Sequence, residues 1–140
     1  MKYMGIDFGS KRVGISVSDD GGEMAFPKVV LKNSSGVKGS KGAGASNALI
    51  KEIKEICLSE KIGEVVIGES KNYKGEKNKI MDEIMPFAKK LKVETGLTIH
   101  LHPEFMTSAQ AVQIQGENEM LDASAATIIL QAFLDKKKNL

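Results

Sequence analysis

The chain has 140 residues, of which 41% are hydrophobic and 27% charged, with a net charge of +2, the balance of one ordinary folded domain over 1–140 with no room for a second catalytic domain. Its apolar runs are too short to cross a bilayer, and its N-terminus enters a strand with Asp7 inside it instead of a signal peptide. One cysteine excludes an internal disulfide framework, so the expectation is a cytoplasmic protein without membrane contact, whose charge neither demands nor forbids nucleic acid.

Three β-type runs come first: Tyr3 to Phe8, then Val13, Ile15 and Val17 alternating with small or polar residues, then Val29 to Leu31 after Pro27. Gly9 and the Gly21-Gly22 pair separate them at hairpin distance. From Asn33 to Asn47 the chain is Gly, Ser and Ala with two lysines, Lys38 and Lys41, and almost nothing to bury, which predicts a mobile loop. Leu49, Ile53, Ile56 and Cys57 recur at helical spacing behind Ser46 or Asn47 as N-cap, with Cys57 as core packing and not a nucleophile. "EVVIG", Glu64 to Gly68, is a short central strand. Ile80, Met81, Ile84, Ala88 and Leu91 mark a second helix, with a kink or break expected near Met85 because Pro86 removes a helical hydrogen bond. Gly96 to His102 alternates as a strand, Thr107 to Ile114 suggests a short helix, and Leu121 to Lys138 forms the last helix. A meander followed by strands alternating with helices predicts a mixed sheet flanked by helices.

Four acids fall where this pattern matters. Asp7 closes the first strand, Glu69 lies one residue past the fourth, Glu104 just past the fifth, and Asp122 in the first turn of the last helix. In open α/β sheets the carboxyl edge is where ligands bind. Clustered carboxylates repel unless protonated or bridged, and hard divalent ions such as Mg2+ or Mn2+ bridge oxygen ligands. Each acid also has a plainer reading: Asp122 as a helix cap, Glu69 and Glu104 as solvated loop acids. Asp7 is hardest to explain that way, because strands disfavour aspartate. Lys11 and Arg12 are either turn residues or, so close behind Asp7, contacts for a phosphate or a balance for the acids. His100 and His102 share one strand face, but no cysteine or third histidine stands near them, so a structural role is expected over zinc.

The stretch "GIDFGSKRVGISVSD", Gly5 to Asp19, resembles the opening signature of the YqgF family, Holliday-junction-resolvase-like nucleases of RNase H fold named for pre-16S rRNA. The resemblance covers nearly the whole chain: "EVVIGESKNYKGEKN" is similar to the family's fourth strand and glycine-containing loop, "HPEFMTSAQA" to its motif of an acid followed by hydroxyl residues, and "LDASAATIILQAFLD" to its closing helix. It implies an RNase H-like three-layer α/β fold with a mixed five-stranded sheet. It also implies an acidic triad of Asp7, Glu104 and Asp122 holding divalent metal, substrate contacts from Lys11, Arg12 and Thr107, and metal-assisted cleavage of a nucleic-acid backbone. RNA is favoured over DNA, and ribosomal RNA maturation is the implied role.

The chain departs from the family's pattern in three places. Pro103, Glu104 and Phe105 stand where an Asp-Glu-Arg run is usual. Glu69 replaces an apolar residue at a strand end where the related RuvC resolvases carry a glutamate, and so joins the expected metal ligands. "QGENEM" before the last helix is acidic where the family is basic, which leaves Lys38 and Lys41, or Lys71, Lys74, Lys77 and Lys79, to supply positive surface.

Three alternatives compete with this nuclease. A Holliday-junction DNA endonuclease would need a symmetric dimer, and the sequence leaves monomer or homodimer open. A non-catalytic RNA-binding module with a degraded metal site would fit the acidic "QGENEM". The first hairpin also resembles that of the actin, Hsp70 and sugar-kinase ATPases, but those need two such domains around the nucleotide.

Overall fold

Alternation along the first strand sends Met4, Ile6 and Phe8 to one face of a sheet and Tyr3, Gly5 and Asp7 to the other. The computed structural model describes residues 1–9, 12–33, 47–71, 81–105 and 120–138, with the backbone alone at 69–71, 81–83, 103–105 and 120–124. Its elements in chain order are β1 (Lys2–Phe8), β2 (Arg12–Ser18), β3 (Ala25–Lys32), α1 (Asn47–Ser59), β4 (Ile62–Lys71), α2 (Met81–Thr95), β5 (Thr98–Phe105) and α3 (Met120–Lys138). The five strands lie in the order β3-β2-β1-β4-β5. β2 is antiparallel to both β1 and β3, whereas β4 runs parallel to β1 and β5 parallel to β4. The carboxyl ends of β1, β3, β4 and β5 therefore share one edge, and β1 is the central strand.

One face carries the larger core. Met4, Ile6, Phe8, Val13, Ile15, Val65 and Ile67 meet Leu49, Ile50, Ile53 and Cys57 of α1 and Ile84, Phe87 and Leu91 of α2. The Phe8 and Phe87 rings pack with centroids 4.6 Å apart. Each such large apolar side chain contributes about 1.5–3 kcal/mol by leaving water. Cys57 is buried there, its Sγ 3.9 Å from the Met4 sulfur, and burial raises its thiol pKa to about 11, the state of a packing residue. On the other face α3 lays Ile129, Leu130 and Leu134 on Tyr3, Ala25 and Val66, with Phe133 half-buried beside them.

Several expectations change. β3 starts earlier than Val29 and runs through Pro27, because an edge strand can spare the amide that proline lacks. Of the kink or break expected near Met85, the break does not occur: α2 continues through Pro86, since Ile84, Phe87 and Leu91, all fully buried, outweigh one lost hydrogen bond. Asn33, assigned by sequence to the mobile loop, is buried and donates from Nδ2 to the Gly9 carbonyl at 2.7 Å. Residues 34–46 and the short helix expected over Thr107 to Ile114 lie outside the described residues. Among the described residues, no helix is long and apolar enough to cross a membrane.

Candidate active site

The position of Asp7 is set from both sides. β1 is hydrogen-bonded between β2 and β4, and Asp7 is half-buried at its carboxyl end, directly opposite Gly14 of β2, a residue with no side chain. Just beyond it the chain turns tightly: the Gly9 amide donates to the Arg12 carbonyl at 2.9 Å, and a Cβ on Gly9 would stand 2.6 Å from that oxygen. The Asn33 amide bond to Gly9 ties this turn to the end of β3. The backbone on either side of the acid is thus held by three strands.

The last helix reaches the same place through a close backbone approach. Gly5 and Ser16 pair across β1 and β2, and Ser16 Oγ donates to the Ala126 carbonyl at 2.8 Å. A Cβ on Gly5 would lie 2.7 Å from the Leu130 Cβ and 2.8 Å from the Ala126 oxygen, so only glycine permits this distance. At the other end of the helix, Lys137 Nζ donates to the Tyr3 hydroxyl and lies over the Tyr3 ring. α3 therefore runs antiparallel to β1. From the Gly5–Ala126 contact, Asp7 is two residues onward, about 7 Å along the strand, and Asp122 is one turn back, about 6 Å along the helix in the same direction.

Register positions the strand acids. Glu104 pairs with Ser70, and Glu69 with Pro103, at the carboxyl ends of β5 and β4. Glu104 follows the alternation of His100 and His102, which pack on Phe133 of α3 with ring centroids 5.0 and 6.2 Å away. That is also the face of Asp7. Glu69 follows the alternation of Val65 and Ile67, on the α1 and α2 side. Arg12 opens β2 on the Asp7 face and is exposed. Lys11 and Thr107 lie outside the described residues, as do Lys38, Lys41, Lys74, Lys77 and Lys79. Among the described residues, no three of His, Cys, Asp and Glu gather as a metal-binding group.

The histidines are engaged elsewhere. His100 Nε2 lies 2.7 Å from Glu64 Oε1, and burial, followed by the charge of Lys136, lowers the pKa of His102. Three residues that sequence reading missed shape the site: Gly5 and Ser16, which bring α3 close, and Asn33, which braces the turn after Asp7. Small residues at alternate strand positions were the available signal for the first two. Asn33 had none.

A mixed sheet with a central acid-ended strand and a closing helix over one face defines an RNase H-like fold. The structure superposes on Thermus thermophilus RuvC in complex with Holliday junction substrate with a TM-score of 0.62 at 16% identity, covering 99% of this chain and 96% of that one. It superposes on the fowlpox virus Holliday junction resolvase with a TM-score of 0.54 at 11% identity, covering 97% and 99%. The sequence matches the model of the RuvX family, described as Holliday junction resolvase, over residues 1–136. A Maridesulfovibrio salexigens protein named "Putative pre-16S rRNA nuclease" is 33% identical over 142 residues, 96% of this chain and 98% of its own. A Clostridioides difficile protein of the same name is 31% identical, covering 99% and 96%. The chain belongs to the RuvX family of resolvase-like nucleases, the family that its opening hairpin resembles.

Proposed function

We propose that this protein is a divalent-metal-dependent nuclease that hydrolyses phosphodiester bonds of RNA in the cytoplasm, in the maturation of 16S ribosomal RNA. The observation that carries the reading is the Gly5–Ala126 contact, from which strand and helix lead Asp7 and Asp122 toward one end of the sheet. Asp7, Glu104 and Asp122 come from three elements, and carboxylate oxygens suit Mg2+ or Mn2+. These three would hold the metal; Glu69, which strand alternation assigns to the α1 and α2 side of β4, falls outside that set. When bound, such an ion supplies activation of water for attack and neutralisation of charge on the leaving oxygen.

The chain's own groups do the rest. The central position of β1 keeps the Asp7 carboxylate at a constant depth. The Arg12 guanidinium offers a fork matched to phosphate oxygens, and Lys11 and Thr107 are assigned to the same substrate. The names of the RuvX relatives favour RNA. A four-way DNA junction is the second substrate to test, because the Thermus neighbour of this fold holds one.

The test is cleavage of labelled single-stranded RNA, precursor 16S rRNA and a four-way DNA junction by the parent and by Asp7→Asn, with Mn2+, with Mg2+ and with chelator. Loss of a residue that merely orients a metal ligand costs about 10–100-fold, so Asp7→Asn should lose at least about a hundredfold while its circular dichroism stays that of the parent. Cutting by Asp7→Asn at the parent rate would remove Asp7 from the site. No cutting of any substrate, with no rise of melting temperature in Mn2+ or Mg2+, would leave an RNA-binding module instead.

A further inference from the structure

Phe8, Val13 and Leu31 are paired across β1, β2 and β3 and buried under α1 and α2. Strand alternation then assigns Arg12 and Lys32, the next residues toward the edge, to the opposite face, which is the face of Asp7. They are themselves a cross-strand pair, both exposed. Like charges directly opposite one another disfavour a sheet. Among the described residues no carboxylate offsets Lys32. Lys2 and Lys28 differ in this respect, since both are held by Glu60, at 2.7 and 2.8 Å.

The spacing relates this pair to Asp7. Asp7 is opposite Gly14, so Arg12 is its diagonal neighbour, about 7–8 Å away and within reach of a long side chain. Lys32 stands one strand further out, about 10 Å from the line of β1. Among the described residues this is an exposed strand pair toward the sheet edge, which suits a polyanion that passes over it.

We infer that Lys32 and Arg12 form a phosphate subsite that holds the nucleic-acid backbone next to the bond to be cut, leading the strand from Asp7 across β2 toward the β3 edge. The inference rests on the nuclease reading above and adds Lys32 and the direction of the strand to it. Arg12 supplies the planar fork and Lys32 the point charge.

The experiment is fluorescence anisotropy of a short fluorescein-labelled single-stranded RNA in chelator, titrated with KCl, on the full chain. On a single strand each phosphate neutralised contributes about 0.7 to the logarithmic salt slope. Lys32→Gln should bind about three- to tenfold more weakly at low salt, with the slope reduced by about 0.7. Lys32→Arg should keep the parent slope, and Lys92→Gln, in the last turn of α2 at the other end of the sheet, should change neither quantity. Removal of the opposed charge should leave Lys32→Gln melting at or above the parent temperature, which separates lost binding from lost folding. Parent-like affinity and slope in Lys32→Gln, or an equal loss in Lys92→Gln, overturns the subsite while the parent's metal-dependent cleavage leaves the nuclease standing. A parent that neither binds nor cuts this RNA or the DNA junction overturns both.

Discussion

The two faces of the sheet are built on opposite terms. Under α1 and α2 the contacts are made by large side chains such as Leu49, Ile53, Phe87 and Leu91, all fully buried, which fill the space between helix and strand. Under α3 a smaller apolar cluster is brought close by residues with little or no side chain on the sheet: Gly5 against Ala126 and Leu130, Gly68 with Ile129 Cδ1 where a Cβ would stand 2.5 Å away, and Ser16 bonded to a helix carbonyl. The first face buries volume, the main source of stability. The second gives up volume for proximity, and proximity is what brings the first turn of α3 to the end of β1.

Substitutions on the two faces should therefore separate stability from activity. The largest stability loss belongs to the first face: Phe87→Ala should destabilise by about 3–5 kcal/mol, read by urea unfolding, while the folded fraction keeps its cleavage rate. Gly5→Ala should cost about 1–3 kcal/mol by overpacking and should in addition slow cleavage, because a new methyl must push α3 outward. A Gly5→Ala protein with full activity would break the comparison. Ser16→Ala leaves the Ala126 carbonyl without its hydroxyl donor, and about 1 kcal/mol is expected from thermal melts. The smallest effect lies away from both faces. Hydrogen bonds from Lys2 and then Lys28 hold the Glu60 pKa at about 2, well below the ordinary 4.5. A carboxylate depressed in the folded state stabilises above its unfolded pKa and loses that contribution as pH falls through the folded value. Glu60→Gln should therefore melt slightly below the parent at neutral pH, by less than about 1 kcal/mol for so exposed a pair. The gap should close between pH 4.5 and about 2.

What sequence made legible followed the strength of local physics. The second strand of the meander shows strict alternation, α1 shows a clean helical stripe, and an aspartate at the end of an apolar strand is costly enough to demand a purpose. Lateral order is a different matter, because nothing local states that β1 lies between β2 and β4, or that Arg12 faces Lys32. Those relations belong to tertiary pairing. Pro27 and Pro86 misled for a related reason: the position of β3 at the sheet edge and the burial of α2 decide how much a missing amide matters. Asn33 sits at the border of a Gly/Ser/Ala stretch whose composition hides the one side chain that is anchored.

The central place of β1 has a consequence in time as well as in space. A strand paired on both sides and covered on both faces exchanges its amide hydrogens only in the rarest, most global openings, whereas edges and turns open far more often. Asp7 inherits that persistence. It directly follows Ile6, the last residue of β1 paired with both β2 and β4, so the backbone that carries it is anchored to the part of the fold that opens least.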